Sequence, residues 1–131
     1  MVAVVAFGGA VGAVLRHLLS EAFPDPSGGF PWTIFWVNVV GCLWLALLPA
    51  FTAVRRRPLL PPLLGTGVLG GFTTMSTYGE QSRALASSGH GMLAATYVVG
   101  TVAACLVAVR VAAPLASRAA RADFDEEEGD L

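Results

Sequence analysis

The sequence predicts an all-α integral membrane protein with four transmembrane helices. Its 131 residues are 55% hydrophobic and only 13% charged, and the charged residues include no lysine. A soluble domain of this size needs a charged surface, which this composition lacks over most of its length. Four apolar stretches, at residues 1–19, 33–54, 60–86 and 91–113, each reach the roughly 20 residues that a helix needs to cross a bilayer.

We expect residues 1–113 to form one transmembrane domain and residues 114–131 an acidic cytoplasmic tail. The tail contains DFDEEEGD, a run of charge typical of a solvated, disordered segment. Most arginines lie in the connection after the second stretch or at and beyond the end of the fourth, whereas Arg16 and Arg83 lie near the opposite side. Because positive charge is retained on the cytoplasmic side, we expect a multi-pass cell-membrane protein with both termini in the cytoplasm.

The first predicted helix carries GGAVGAVLRH at residues 8–17. Gly8 and Gly12 form a smooth face that allows another backbone to approach closely. Arg16 lies near the helix end, where its long side chain reaches the membrane interface. It is either a simple interfacial anchor or a charge that attracts anions to a vestibule.

The second predicted helix contains an amide, Asn38, well inside the apolar sequence TIFWVNVVGCLWLALL. Polar side chains at such depth commonly hydrogen-bond across helices, at about 1 kcal/mol each. The alternative is that the amide lines a pore and donates to a passing anion. Gly41, three residues later, leaves room beside it.

The third stretch contains GTGVLGGFTTMSTYGE at residues 65–80. Its glycines weaken a helix, and backbone groups freed inside a membrane must find partners in protein, water or an ion. A dense hydroxyl cluster follows the glycines and favours a broken helix that forms an ion path; it comprises Thr73, Thr74, Ser76 and Thr77. The alternative is a continuous helix whose Gly67 and Gly71 pack closely on a neighbour. Glu80 is either an interfacial cap or a functional carboxylate.

The fourth predicted helix places Tyr97, Thr101 and Cys105 four residues apart, on one face. The first two offer hydroxyl groups that could form a polar track facing the broken helix, although threonine in membranes also bonds its own helix backbone. Cys42 and Cys105 lack metal-ligand spacing, so we predict both to be buried apolar residues.

Three blocks together resemble the CrcB/Fluc family of fluoride channels. They are GGAVGAVLRH at residues 8–17, FPWTIFWVNVVGC at 30–42 and GTGVLGGFTTMSTYGE at 65–80. They occur in the order of the family's GGxxGAxxR, VNxxG and GGFTTFSTFxxE blocks, and the third is the most specific. The resemblance covers all four predicted helices.

The resemblance implies an antiparallel dimer with fluoride pores at the subunit interface and a break in the third helix. Backbone carbonyls of Gly70 and Thr73 would hold a structural Na⁺ at the dimer centre, since hard cations prefer oxygen ligands. Arg16 would be the vestibule arginine, and Glu80 the acid at the end of the third block. The fluoride pathway would comprise Asn38, Met75, Ser76, Thr77, Tyr78, Tyr97 and Thr101.

Two features depart from the family pattern. Met75 and Tyr78 stand where the family usually has phenylalanine, and Cys105 stands at a position usually held by a small hydroxyl residue. The biased arginine distribution also favours one fixed orientation. We therefore expect pairing with an oppositely oriented paralogue rather than a homodimer.

Other function classes fit less well. A small multidrug-type, proton-coupled exporter needs an intramembrane carboxylate, usually in the first helix, and the first stretch has none. A non-conducting scaffold subunit of a heterodimeric channel stays open because of Met75 and Tyr78. Enzyme motifs and basic patches for nucleic acid are absent from the sequence.

Overall fold

The computed structural model describes the backbone of residues 1–129 and the side chains of residues 1–122. The described chain is built from helices. Three of them are long and apolar enough to cross a membrane, lying within Val2–Ala22, Trp32–Ala50 and Gly91–Ala122. The elements in order are α1 (Val2–Ala22), α2 (Trp32–Leu47), a 3₁₀ turn (Leu48–Ala50), α3 (Thr52–Arg56), a π-helical segment (Pro62–Leu69), α4 (Gly70–Phe72), α5 (Ser76–Ser87) and α6 (Gly91–Gly129).

The second apolar stretch ends as a helix earlier than the sequence predicts. We expected one element over residues 33–54, but α2 ends at Leu47 and a 3₁₀ turn continues to Ala50. Pro49 lies in that turn and has no N–H to donate, so the α-helical bonding stops there. Phe51 is extended, and the short α3 follows it.

The third apolar stretch is discontinuous. The π-helical segment from Pro62 to Leu69 leads into the three-residue α4, and α5 begins only at Ser76. Thr73 has extended backbone angles, with φ −71° and ψ 157°. We call residues 73–75 the break. Each piece of this stretch is shorter than the roughly 20 residues of a spanning helix, so a continuous helix over residues 60–86 is wrong.

The last helix is longer than the fourth apolar stretch. It runs from Gly91 to Gly129 and includes Pro114. Residues 114–129 are therefore helical in the structure, whereas the sequence analysis expected a disordered tail from residue 114 onwards. Residues 130 and 131 lie outside the described residues. The cytoplasmic location of this part of the chain stays a prediction.

Glycines allow the backbone of α1 to pack directly against the backbone of the third stretch. A Cβ atom added at Gly12 would lie 2.0 Å from the Val68 carbonyl oxygen, and one added at Gly71 would lie 2.2 Å from the Gly9 carbonyl oxygen. Close packing of Gly71 was the alternative to ion coordination in the sequence analysis. The structure contains both this packing and the break, because the packed glycines precede residues 73–75.

The buried core lies between α2, α5 and α6. Ile34 and Tyr97 are almost completely enclosed, with Tyr78 and Leu85 packed beside them. The ring of Phe30 meets the Tyr97 ring edge-on, with centroids 5.3 Å apart. This core fixes α6 against the start of α5. It thereby places the polar face of α6, which carries Tyr97 and Thr101, beside the break.

Candidate functional site

Asn38 holds the break in place with two hydrogen bonds. Its side-chain Nδ2 donates to the Thr74 carbonyl oxygen at 3.1 Å, and its Oδ1 accepts from the Thr74 N–H at 2.9 Å. Both residues are buried. The N–H and carbonyl of Thr74, which lies in the break, are thus both satisfied by one amide side chain. Cross-helix hydrogen bonding, the first of the two interpretations of Asn38, is therefore observed.

Gly41 makes room for this arrangement one helical turn beyond Asn38. A Cβ atom added at Gly41 would lie 2.2 Å from the Cγ2 atom of Thr73. The Thr73 hydroxyl donates to the Leu69 carbonyl oxygen at 2.8 Å, which fixes that side chain. A larger residue at position 41 would therefore push the break away from α2.

Thr74 organises the hydroxyl groups around the start of α5. Its Oγ1 lies 3.3 Å from the Ser76 Oγ and 3.2 Å from the Thr77 Oγ1, and it accepts the Thr77 N–H at 3.2 Å. It acts as a helix cap, since it satisfies an N–H group in the first turn of α5. Ser76 is exposed and Thr77 half-buried. The sequence analysis placed Thr74 in the hydroxyl cluster but did not include it in the pathway.

Arg16 connects α1 to both sides of the break. Its Nε donates to the Gly71 carbonyl oxygen at 3.4 Å, and its Nη1 donates to the Thr77 Oγ1 at 3.5 Å. The side chain is half-buried. It is thus more than an interfacial anchor, because its guanidinium places a positive charge beside the hydroxyl cluster. Glu80 is exposed, one turn further along α5.

The polar face of α6 places its hydroxyl groups in two different environments. Tyr97 is fully buried and donates to the Gln81 Oε1 at 2.9 Å. Thr101 is 3% exposed, and its Oγ1 is the single buried side-chain N or O atom without a hydrogen-bond partner among the described residues. The alternative in which Thr101 bonds its own helix backbone is therefore wrong. A buried hydroxyl without a partner is costly and so marks a place for a ligand or water.

Tyr78 and Met75 differ sharply in their surroundings. The Tyr78 hydroxyl donates to the Val98 carbonyl oxygen at 2.8 Å, and its ring lies 5.2 Å from that of Tyr97. Tyr78 is therefore anchored to α6. Met75 is 81% exposed on the single chain. At this position the side chain is turned away from the core, towards lipid or another subunit.

One cavity of about 590 Å³ joins the break to α2 and α6. The predicted site residues on its wall are Asn38, Gly70, Thr73, Met75, Tyr78 and Thr101. Tyr97, Ser76, Thr77, Arg16 and Glu80 lie outside this wall. The structure thus brings about half of the predicted site residues together, and four of these six lie in the third apolar stretch.

Gly70 and Thr73 supply backbone oxygen atoms beside the break. In a continuous helix the Gly70 carbonyl would accept the Thr74 N–H, but here that N–H bonds Asn38. The Gly70 carbonyl is thus released from this regular helical bond, and Gly70 is one of the residues on the cavity wall. Uncharged oxygen donors of this kind suit a hard cation. Among the described residues there is no cluster of three His, Cys, Asp or Glu side chains that could hold a metal ion.

The two cysteines are neighbouring free thiols rather than separately buried residues. Cys42 on α2 and Cys105 on α6 are both free thiols of intermediate burial, so full burial was wrong. Cys42 is the neighbouring thiol of Cys105, and both residues line the cavity. The sequence could not reveal this contact, because 63 positions separate the two residues and only the packing of α2 on α6 joins them.

These features define a class: an all-α, multi-pass membrane protein with polar groups gathered around a broken helix, as in small channels and transporters. The family model described as CrcB-like protein, Camphor Resistance (CrcB), matches residues 3–113. The chain belongs to this family.

Relatives with this similarity carry a common name. A protein of Streptomyces coelicolor named fluoride-specific ion channel FluC 1 is 48% identical over 120 residues, covering 90% of this chain and 78% of the relative. One of Streptomyces avermitilis, named fluoride-specific ion channel FluC 2, is 47% identical and covers 78% of this chain and 66% of the relative. One of Paramagnetospirillum magneticum, named fluoride-specific ion channel FluC, is 40% identical and covers 88% and 97%.

Proposed function

We propose that this protein is a fluoride-selective channel through which fluoride leaves the cytoplasm passively. Its family and the names of its relatives support fluoride as the ion. A negative membrane potential drives anions outward without a fuel. Hydrogen fluoride that enters a cell dissociates in the less acidic cytoplasm, and the channel then releases the trapped fluoride, which protects the cell.

The observation that carries the proposal is the unpaired Thr101 hydroxyl on the wall of a cavity at the break. Fluoride is small and strongly hydrated, so a selective path must replace its water with hydrogen-bond donors. The Thr101 hydroxyl is available to donate. Asn38, which lines the same cavity, has a second N–H on Nδ2 besides the one that bonds Thr74.

The other pathway residues have narrower roles in this proposal. The hydroxyl protons of Tyr78 and Tyr97 are already donated to Val98 and Gln81. Their rings would therefore act through their electropositive edges rather than through O–H donation. Ser76 and Thr77 would guide fluoride along the start of α5, where Arg16 supplies positive charge.

A structural Na⁺ held by the carbonyls of Gly70 and Thr73 is part of the proposal. The Gly70 carbonyl, released by the bond between Thr74 and Asn38, supports this role. A bound cation would supply positive charge close to the anion path. In a dimer, the same carbonyls from two chains would complete the oxygen shell that one chain only begins.

We further propose that the channel is an antiparallel dimer in the cell membrane, with this subunit in one orientation and both termini in the cytoplasm. Arginines at positions 55–57 and near the end of α6 support that orientation. The favoured partner is an oppositely oriented paralogue. Met75, which has no aromatic ring, supports a second candidate in which this chain is a scaffold and the partner supplies the conducting pore.

Fluoride efflux from liposomes tests these proposals. The purified chain is reconstituted alone and together with a paralogue from the same genome, and chloride efflux is the control. Fluoride efflux without chloride efflux in either sample supports the channel. Efflux that occurs in the mixed sample but not with the purified chain alone supports the heterodimer. Persistence of that efflux after Asn38→Ala in this chain supports the scaffold. Absence of fluoride efflux from both samples contradicts the channel.

A further inference from the structure

Three sulfur-containing side chains line the cavity at the break. Cys42 on α2, Cys105 on α6 and Met75 all belong to its wall, and the two thiols are neighbours. The chain contains only two cysteines and three methionines. Both cysteines and one methionine are therefore gathered at a single place.

The arrangement has the chemistry of a soft-metal site. Thiolate and thioether sulfur atoms prefer soft ions such as Cu⁺, whereas carbonyl, carboxylate and water oxygens prefer hard ions. Two neighbouring sulfur ligands on one cavity wall need little rearrangement to bind one ion. Met75 is 81% exposed on an unbranched, flexible side chain, so it can turn towards that ion without disturbing the core.

We propose that Cys42, Cys105 and Met75 form a binding site for a soft monovalent metal ion of the Cu⁺ and Ag⁺ type. Each thiol that becomes a thiolate ligand releases one proton to water, and the metal keeps its oxidation state. The site requires no oxidant or reductant. It differs in chemistry from the oxygen donors of Gly70 and Thr73 on the same wall.

The location of the site gives metal binding a functional consequence. Cys105 lies one helical turn from Thr101, on the same face of α6. An ion held between Cys42 and Cys105 would stand beside the unpaired Thr101 hydroxyl and narrow the cavity. This consequence, unlike the metal site itself, rests on the proposed fluoride pathway.

Binding of Ag⁺ to the purified full-length chain tests the site independently of transport. The protein is reduced, the reductant is removed under nitrogen, and a thiol titration confirms that both cysteines are free. Equilibrium dialysis against silver nitrate, with histidine as a weak competitor, then measures affinity. Buffers contain nitrate instead of chloride, because silver chloride precipitates. We expect about one Ag⁺ per chain and sulfur-only coordination in the X-ray absorption spectrum.

Three substitutions separate the ligands from the rest of the chain. Loss of an outer-shell partner already weakens metal sites about 10–100-fold, so Cys42→Ser and Cys105→Ser are each expected to weaken Ag⁺ binding at least about 100-fold. Met75→Leu is expected to weaken it about 10-fold. Met92→Leu is the matched control, because Met92 is equally exposed but lies outside the cavity wall.

A measurement on the unmodified chain covers the case in which a serine variant does not fold. Bound Ag⁺ is expected to protect both thiols from reaction with a maleimide. Unchanged Ag⁺ affinity in a folded Cys42→Ser, Cys105→Ser double variant, or the absence of protection in the unmodified chain, overturns the proposal. An equal effect of Met92→Leu and Met75→Leu excludes Met75 as a ligand.

Fluoride efflux in chloride-free liposomes then tests the consequence. Ag⁺ is expected to slow efflux through the unmodified protein, and each cysteine variant is compared with its own rate without metal. If Ag⁺ binds but does not alter efflux, the metal site stands and its proximity to the pathway is wrong. If there is no efflux to inhibit, the proposed function fails while the binding result is unaffected.

Discussion

Replacing Asn38 by alanine removes both hydrogen bonds that hold the Thr74 backbone. Hydrogen bonds between membrane helices average about 0.6 kcal/mol and reach about 1.7 kcal/mol, so loss of two is expected to cost about 1–3 kcal/mol of stability. If the freed Thr74 groups stayed dry, the cost would rise by about 1–3 kcal/mol for each. Water in the adjoining cavity of about 590 Å³ can reach them, so we expect the lower range.

The assay is reversible unfolding in mixed detergent micelles, followed by tryptophan fluorescence. Hydrogen exchange at the Thr74 amide gives a local readout, because Asn38→Ala exposes that N–H while leaving α1 and α6 intact. Asn38→Asp is the informative companion. It keeps an oxygen that can accept the Thr74 N–H, but places a second oxygen against the Thr74 carbonyl, so we expect stability no higher than that of the alanine variant.

Both variants should also slow fluoride efflux, and the aspartate more strongly, since a carboxylate repels an anion. An unfolding free energy of Asn38→Ala within about 0.5 kcal/mol of the unmodified protein, the usual range for surface substitutions, would refute this reasoning. Unchanged exchange at Thr74 would refute it independently. Either result would mean that the break holds its shape without α2.

Two further predictions concern packing and the tyrosine hydroxyl. Gly12→Ala is expected to prevent close packing of α1 and to destabilise the fold by at least about 1–3 kcal/mol, measured by the same unfolding assay, because the new Cβ atom would lie 2.0 Å from a backbone carbonyl oxygen. Gly100→Ala, where a Cβ atom meets nothing within 4 Å, is expected to be neutral or stabilising by up to about 1 kcal/mol. Tyr78→Phe loses the bond to the Val98 carbonyl and should cost about 1 kcal/mol, yet keep fluoride efflux because the ring remains. Tyr78→Leu removes the hydroxyl and the ring, so it should lose both the hydrogen bond to Val98 and the fluoride efflux.

The glycine pair and the tyrosine pair each contain their own control. Equal stability of Gly12→Ala and Gly100→Ala would contradict the close packing of α1 on the third stretch. Tyr78→Phe with strongly reduced efflux, measured in liposomes at equal protein content, would show that the hydroxyl rather than the ring acts on fluoride.

Hydropathy alone predicts the continuous helices well. Residues 2–19 of the first stretch lie in α1 and residues 91–113 lie in α6, because insertion into a bilayer and the sequence pattern both depend on a run of apolar side chains. Where the pattern fails, backbone chemistry is the reason. Hydropathy does not register the missing N–H of Pro49, and the second stretch therefore ends earlier as a helix than it does as an apolar run.

The candidate site could be predicted only as a set of residue types. The glycines and hydroxyls of residues 65–80 indicate a weakened helix, but their partners lie far along the chain. The packing of α2, α5 and α6 decides which of these groups have partners. It brings Asn38 to Thr74, gives both tyrosine hydroxyls an acceptor and leaves the buried Thr101 hydroxyl without a partner. The same applies to the contact between Cys42 and Cys105.

Thr101→Val tests the central claim, that the cavity at the break carries fluoride. Valine has nearly the same shape as threonine and removes the one buried hydroxyl that has no partner among the described residues, so stability should be unchanged or slightly raised. Loss of one hydrogen bond of about 1.4 kcal/mol to the passing ion should slow fluoride efflux about tenfold.

The matched control is Thr96→Val. Thr96 is exposed in the second turn of α6, and its hydroxyl donates to the Met92 carbonyl of its own helix. The measurement is the ratio of fluoride efflux rates of the two variants in liposomes. The fluoride efflux rate of Thr101→Val is expected to be about tenfold lower than that of Thr96→Val, which conducts like the unmodified protein. Equal rates in the two variants would contradict it.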